Sequence, residues 1–341
     1  MNRAHNPHRP SAVRRGVATF AVLGALLAVA GCAEGENANA SGGSDKAVTL
    51  DFATYNPLSL VVKDQGWLED EGIDVTWIQS DGSNTANEAL RSGAIDVGST
   101  AGSAALLARA NGSPIKTIDV FSQPEWAALV VAKTSPIRTV AELRGKKVAA
   151  TKGTDPYFFL LQALDQAGLK PADVTVVNLQ HADGKTALEA GQVDAWSGLD
   201  PLLSTSVATA GSTIIYDNID FNSYGFLNAT EAFLEKSPDL AQVVVNAYEK
   251  ARAWALANPD GAAAILAEVA GIDIAIATAV IADRTNLSVD PIPGEAQIDV
   301  LSVIGPIFVE SGDVASQDLI DDALASLLEP KFAEAADPSA L

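Results

Sequence analysis

Two spacings of apolar residues take turns along this chain. Short runs the length of a strand alternate with stretches whose apolar positions recur every three or four residues, as on one face of a helix. From the first half, strands are predicted at Val48–Thr54, Ile73–Gln79, Ala94–Gly98 and Ile115–Phe121, with helices at Pro57–Trp67, Thr85–Arg91 and Ser103–Asn111. The same succession restarts at Lys146. Strands Lys146–Thr151, Val174–Leu179, Gln192–Trp196 and Thr213–Tyr216 are separated by helices Tyr157–Ala167 and Lys185–Ala190 and one opening at Pro201. Beyond Asn228 the pattern is almost wholly helical, with Pro238–Ala257 the longest stretch.

The restart is a repeat at the level of residues. Ala89-Leu90-Arg91-Ser92-Gly93-Ala94-Ile95-Asp96 is echoed by Ala187-Leu188-Glu189-Ala190-Gly191-Gln192-Val193-Asp194. In each, a helix closes on a glycine that can take the left-handed conformation, and a short strand carrying an aspartate follows. Upstream, the strand leading to Asn56-Pro57 is echoed by the one leading to Asp155-Pro156. A capping side chain followed by proline is a good helix opening. Two related α/β lobes are expected, residues 47–130 with 227–341 forming one and 131–226 the other. The runs Leu129–Ala132 and Tyr224–Asn228 are read as the two crossings between them. Two crossings make a two-strand hinge, and in such lobes ligands gather beyond the carboxyl ends of the strands. The fold class is therefore α/β, two lobes of mixed sheet flanked by helices and facing each other across a cleft.

The first 31 residues change the picture of where the protein works. Arg14 and Arg15 precede an apolar run, Val17–Ala30, too short to span a bilayer. It ends in Ala30-Gly31-Cys32, which resembles the lipobox of bacterial lipoproteins, so residues 1–31 read as a lipoprotein signal peptide. Cys32 is the only cysteine, and it would carry the lipid; residues 32–46 are then a polar tether of the Gly, Ser, Asn and acidic type. The net charge of −21 becomes more negative once a leader with four arginines and no acid is removed. A surface of that sign repels phosphate backbones, so no nucleic-acid partner is expected.

Side-chain inventory narrows the chemistry further. Of three histidines only His181 follows the leader. With one cysteine and one histidine left, no internal disulfide and no His-rich metal site can be built, and no cofactor is expected. A Ser-His-Asp triad would need His181 without any nucleophile-elbow sequence beside it. His181 reads as a surface or cleft-rim side chain, and the protein as a non-enzyme.

Several segments taken in order carry a family resemblance. Gly93–Thr100, Leu143–Ala149, Lys152-Gly153-Thr154, Val193–Trp196, Asp200-Pro201, and Pro238-Asp239-Leu240 with Ala247–Arg252 together resemble the extracytoplasmic solute-binding proteins of ABC importers, in their aliphatic sulfonate, taurine and nitrate group. The resemblance implies a type II periplasmic-binding fold, a monomer closing on a small solute, and delivery to a membrane permease and its ATPase. The implied solute is an aliphatic sulfonate or taurine. An aromatic heterocycle such as a thiamine-pyrimidine precursor is the alternative within the same fold.

An oxyanion needs donors, and helix N-termini supply free N–H groups at the positive end of the dipole. Ser99, Thr100 and Thr154 add hydroxyls at such ends; the same groups serve equally as ordinary caps. Tyr55 and Asn56 occupy the matching place in the first lobe. Asp155 and Asp200 read as helix caps that would favour an amino group on the solute if they faced the cleft. Trp126 and Trp196 can cover an alkyl chain or simply pack in a core. Arg284 stands alone among acids, either paired with one of them or reaching the anion with its fork of donors.

Overall fold

The computed structural model describes residues 46–341. The expected signal peptide, the expected lipid site at Cys32 and nearly all of the expected tether lie outside the described residues.

Among the described residues, ten strands form two five-stranded sheets. The first holds β1 (Ala47–Phe52), β2 (Asp74–Gln79), β3 (Val97–Ala101), β4 (Ile115–Ser122) and β10 (Gly225–Thr230). The second holds β5 (Ala127–Val131), β6 (Lys147–Ala150), β7 (Thr175–Asn178), β8 (Ala195–Leu199) and β9 (Thr213–Tyr216). Their spatial orders are β2-β1-β3-β10-β4 and β7-β6-β8-β5-β9. In each sheet the first three strands run parallel and the fourth is antiparallel to both of its neighbours. That fourth strand is the one that has just arrived from the other sheet, so the expected pair of mixed sheets with two crossings is present.

The crossings themselves lie elsewhere than expected. Leu129–Val131 belongs to β5, fully inside the second sheet and paired on both edges with β8 and β9. The chain passes over between Ser122 and Ala127, and returns between Tyr216 and Gly225. A run of buried β-branched and aliphatic residues is what an internal strand needs, whereas a passage between sheets is made by the polar and proline-containing Gln123–Trp126.

The residue-level repeat has a shared bonding pattern. Asp96 accepts the Thr49 N–H on Oδ2 at 2.8 Å and donates its own N–H to the Thr49 carbonyl. Asp194 does the same with Lys147, also at 2.8 Å. Each aspartate thus ties off the first rung of the neighbouring strand. The strands expected at Ala94 and Gln192 therefore begin later, at Val97 and Ala195, because the preceding residues serve the turn.

Helices open where the sequence supplies caps. Asn56 Oδ1 accepts from the N–H groups of Leu58 and Ser59, and the helix Pro57–Gln65 closes on Gly66 at φ 64°. The C-terminal helices do not keep to one sheet. Phe308, on Glu295–Glu310, stacks against Phe158 of the helix Asp155–Gln166, with centroids 4.4 Å apart. The main apolar core is accordingly continuous from Leu50 and Phe121 through Phe158 to Phe308. Among the described residues no helix is long and apolar enough to cross a membrane.

Candidate functional site

The loops at the carboxyl ends of the two sheets meet, and they line a partly open cavity of about 500 Å³. Thr54, Gln79, Asp81 and Thr85 line it from the first sheet's side. Gln180–Asp183 and Pro201-Leu202, at the starts of the helices His181–Glu189 and Leu202–Ala210, line it from the second. Ala270 and Ile272 add an apolar wall. The size suits a small organic molecule. First-turn N–H groups have no partner inside a helix, so two helix starts present donors and positive dipole ends here.

The expected ligand-binding residues are placed differently. Tyr55, Asn56, Ser99, Trp126 and Asp155 come together in one buried cluster joining the two sheets. The Tyr55 hydroxyl donates to the Ser99 carbonyl at 2.9 Å, and Asn56 Nδ2 donates to Ser99 Oγ at 2.7 Å. Ser99 Oγ in turn donates to Asp51 Oδ1 at 2.8 Å, which also accepts the Ser99 N–H. The Tyr55 ring meets Trp126 edge-on at 5.9 Å, and Trp126 Nε1 donates to Asp155 Oδ2 at 2.8 Å. Thr100 Oγ1 donates to the Ala101 carbonyl and accepts from Asn228. Thr154 Oγ1 donates to the Thr151 carbonyl. All three expected hydroxyls are buried and already engaged, and none of them lines the cavity.

Asp155 is not the helix cap expected. Its carboxylate leaves its own helix and is received, as an anion would be, by Ser103 of the first half and by Trp126 and Ser223 of the two crossings. Oδ1 accepts from the hydroxyls of Ser103 and Ser223, and Oδ2 from Trp126 Nε1 and the Ser223 N–H. Ser103 stands in the first turn of the helix Gly102–Ala110. Burial pushes the Asp155 carboxyl above its ordinary value, and these bonds pull it partly back.

Asp200 does cap: Oδ1 accepts from the Ser204 N–H at 2.9 Å and from its hydroxyl at 2.6 Å. Its Oδ2 pairs with Arg284 Nε, reaching from the C-terminal segment to the second sheet. Arg284 is thus the partner of an acid; its Nη2 is buried without a hydrogen bond. Trp196 is not near a cleft mouth. It is fully buried in the small core of the second sheet, against Gly184 and Gly198, where an added Cβ would approach its ring to 2.8 and 3.1 Å.

His181 is buried, 2% exposed, rather than a surface side chain, and it lines the cavity. Thr151 Oγ1 spends its one proton on the Leu179 carbonyl at 2.7 Å, so towards His181 Nδ1, 3.1 Å away, it can only accept. Nδ1 therefore carries the proton and Nε2 is a bare acceptor. Nε2 has no partner, and neither has Asn84 Oδ1. Both lie against Gly82, where an added Cβ would meet them at 3.0 and 2.8 Å. Burial pushes the His181 pKa down to about 4, which keeps the ring neutral.

Sequence reasoning missed Asp51, Asn84, Ser103 and Ser223 altogether. For Asn84 a local signal existed: the first turn of its helix matches that of the His181 helix in the repeat. For Ser103 and Ser223, partners 120 residues apart in the chain, no local signal existed.

Comparison with known proteins gives this arrangement a family. The NMT1/THI5-like family model matches residues 56–262. The chain belongs to the NMT1/THI5-like family. A protein of Escherichia coli K12 named for aliphatic sulfonate binding is 32% identical over 223 residues, 65% of this chain and 70% of that protein. Its Bacillus subtilis counterpart of the same name is 31% identical over 261 residues, 74% and 78%. Among solved structures, the alkanesulfonate-binding protein SsuA of Xanthomonas axonopodis pv. citri, bound to MOPS, superposes with a TM-score of 0.74 at 25% identity, covering 82% of this chain and 97% of that one. The two mixed sheets and their crossings are those of the periplasmic-binding fold, as the sequence resemblance implied.

Proposed function

We propose that this member of the NMT1/THI5-like family is the solute receptor of an ABC importer, taking a small organic sulfonate in the 500 Å³ cavity between its two halves. One observation carries the reading. A chain about a third identical to sulfonate-named relatives holds, between two crossing-linked sheets, a cavity into which the starts of two helices open. Parting of the halves about the crossings admits the solute, and closure buries it. The closed form is what a permease and its ATPase would recognise. The closing halves are the part built on the first sheet, residues 47–122 and from 225 on, and the part built on the second, residues 127–216. The receptor works as a monomer, catalyses nothing, and is held on the outer face of the membrane by lipid on Cys32.

Anion contacts in this reading come from the first-turn amides at His181–Asp183 and at Leu202, rather than from the engaged hydroxyls of Ser99, Thr100 and Thr154. A thermal-shift panel tests it: alkanesulfonates and taurine raise the melting midpoint. A rise with aromatic heterocycles alone replaces the sulfonate reading, and turnover of any panel member overturns the non-enzyme one. An N-terminal peptide without a lipid mass on Cys32, taken from the native host, refutes the anchor.

A further inference from the structure

One carboxylate gathers a partner from every part that a hinge must join. Asp155 opens the helix Asp155–Gln166 of the second half. Its Oδ1 accepts from the hydroxyl of Ser103, in the first turn of the helix Gly102–Ala110 of the first half. The outgoing crossing supplies Trp126 Nε1 to Oδ2 at 2.8 Å. The return crossing supplies Ser223 twice, its hydroxyl to Oδ1 at 2.7 Å and its N–H to Oδ2 at 2.8 Å. Ser223 Oγ also accepts the Ser103 N–H at 2.9 Å, and the crossings bond to each other where the Ala127 N–H meets Asn222 Oδ1 at 3.0 Å. Asp155, Ser103, Trp126 and Ser223 are all buried, so water takes over none of these bonds while the halves stay together.

The arrangement brings two helix starts to one point, and each is the positive end of a dipole. Left alone, two such ends repel, and their first-turn N–H groups lack acceptors. The Asp155 charge answers the repulsion. Its partners are neutral donors, so that charge is balanced by the helix ends rather than by a lysine or arginine. The Asp200–Arg284 pair spans the halves by one contact, whereas four bonds hold Asp155. We propose that Asp155 is the fastener of the closed form. With no solute present its charge holds the halves together at the crossings, and parting them means withdrawing it from Ser103. The fastener takes from the proposed function only that the halves part, and nothing about what they bind. A receptor fastened in this way admits a solute only in the fraction of time the contact is undone.

Two variants separate the charge from the contact. Asp155→Asn keeps the shape and removes the charge; Ser103→Ala keeps the charge and cuts the side-chain bond to the first half. Each is compared with wild type, without solute, by small-angle scattering and by hydrogen exchange read by mass spectrometry. The expected result is a larger radius of gyration in both variants. Exchange should be at least tenfold faster in peptides covering Ser103 and Ser223, while peptides from β1 and β6 keep their protection. Ser103→Ala carries the test if Asp155→Asn does not fold. Faster exchange spread evenly through both sheets marks a merely weakened fold and overturns the inference. An unchanged radius with unchanged exchange overturns it too. Neither result touches solute binding: a melting midpoint raised by an alkanesulfonate, beside a hinge that these variants do not move, leaves the receptor standing without this fastener.

Discussion

Asp51 is the buried acid whose replacement gives the sharpest test of the polar network under the site. It lies at the end of β1, fully buried, with Oδ1 held by the N–H and hydroxyl of Ser99 and Oδ2 without a partner. Burial pushes its pKa from 3.8 up to about 7, against the opposing pull of the Ser99 bonds. A carboxyl raised in the folded state keeps its proton there after the unfolded chain has lost it. The native state then binds more protons than the unfolded one, so stability falls as pH climbs from about 4 to about 7. At 1.36 kcal/mol per pH unit the loss is about 4 kcal/mol, a large share of an ordinary domain's stability. Asp51→Asn keeps the Oδ1 acceptor and cannot ionise. The stability difference between Asp51→Asn and wild type should therefore rise by up to about 4 kcal/mol between pH 4 and pH 8. Urea unfolding at a series of pH values measures it, provided the fluorescence and circular dichroism transitions coincide. A difference that stays flat, or falls, refutes the idea that this carboxyl is buried and ionises late.

His181 supplies the opposite slope. Its pKa is pushed down to about 4, so stability is lost as pH falls from 6.5 towards 4, by about 3 kcal/mol. Wild type should look flat over that window because the two effects oppose; Asp51→Asn should expose the acid-side loss, and His181→Phe should remove it.

Three further outcomes follow from single contacts. Asp155→Ala strands the donors of Ser103, Trp126 and Ser223 in a buried place and should cost about 3–5 kcal/mol in urea unfolding, with Asp155→Asn costing less. Arg284→Ala removes a tie between the halves while Asp200 keeps its cap on Ser204. The variant should fold, and small-angle scattering without solute should show a larger radius of gyration than wild type. Gly82→Ala places a methyl 2.8 Å from the buried Asn84 Oδ1 and 3.0 Å from His181 Nε2, so it should lower the melting midpoint followed by circular dichroism.

Much of the architecture was legible because it is periodic and repeated. The paired Ala-Leu-x-x-Gly endings and the aspartates that follow mark corresponding turns, and Asp96 and Asp194 do bond alike to Thr49 and Lys147. What failed was local extent. Apolar runs carry no mark of which sheet they join, so Leu129–Val131 reads as a passage and folds as an internal strand. Of the two roles open to Trp196, core packing wins, because Gly184 and Gly198 lack the Cβ atoms that would exclude the indole.

The site was less legible for a reason that lies in the physics of helix starts. Free amides, a positive dipole end and a hydroxyl nearby describe a solute's binding place and an ordinary cap equally well. Which one results depends on whether the folded chain brings its own acceptor. Asp155 shows the point: the donors that gather at Ser103 and Ser223 are an anion's surroundings, and the anion that fills them is a carboxylate 52 and 68 residues away in the chain. Where such donors are satisfied from within, no demand for a solute remains, and the helix starts that line the cavity are instead those at His181 and Leu202. A hydroxyl at a helix start marks such self-satisfied places as readily as open ones, so it cannot by itself single out the cavity.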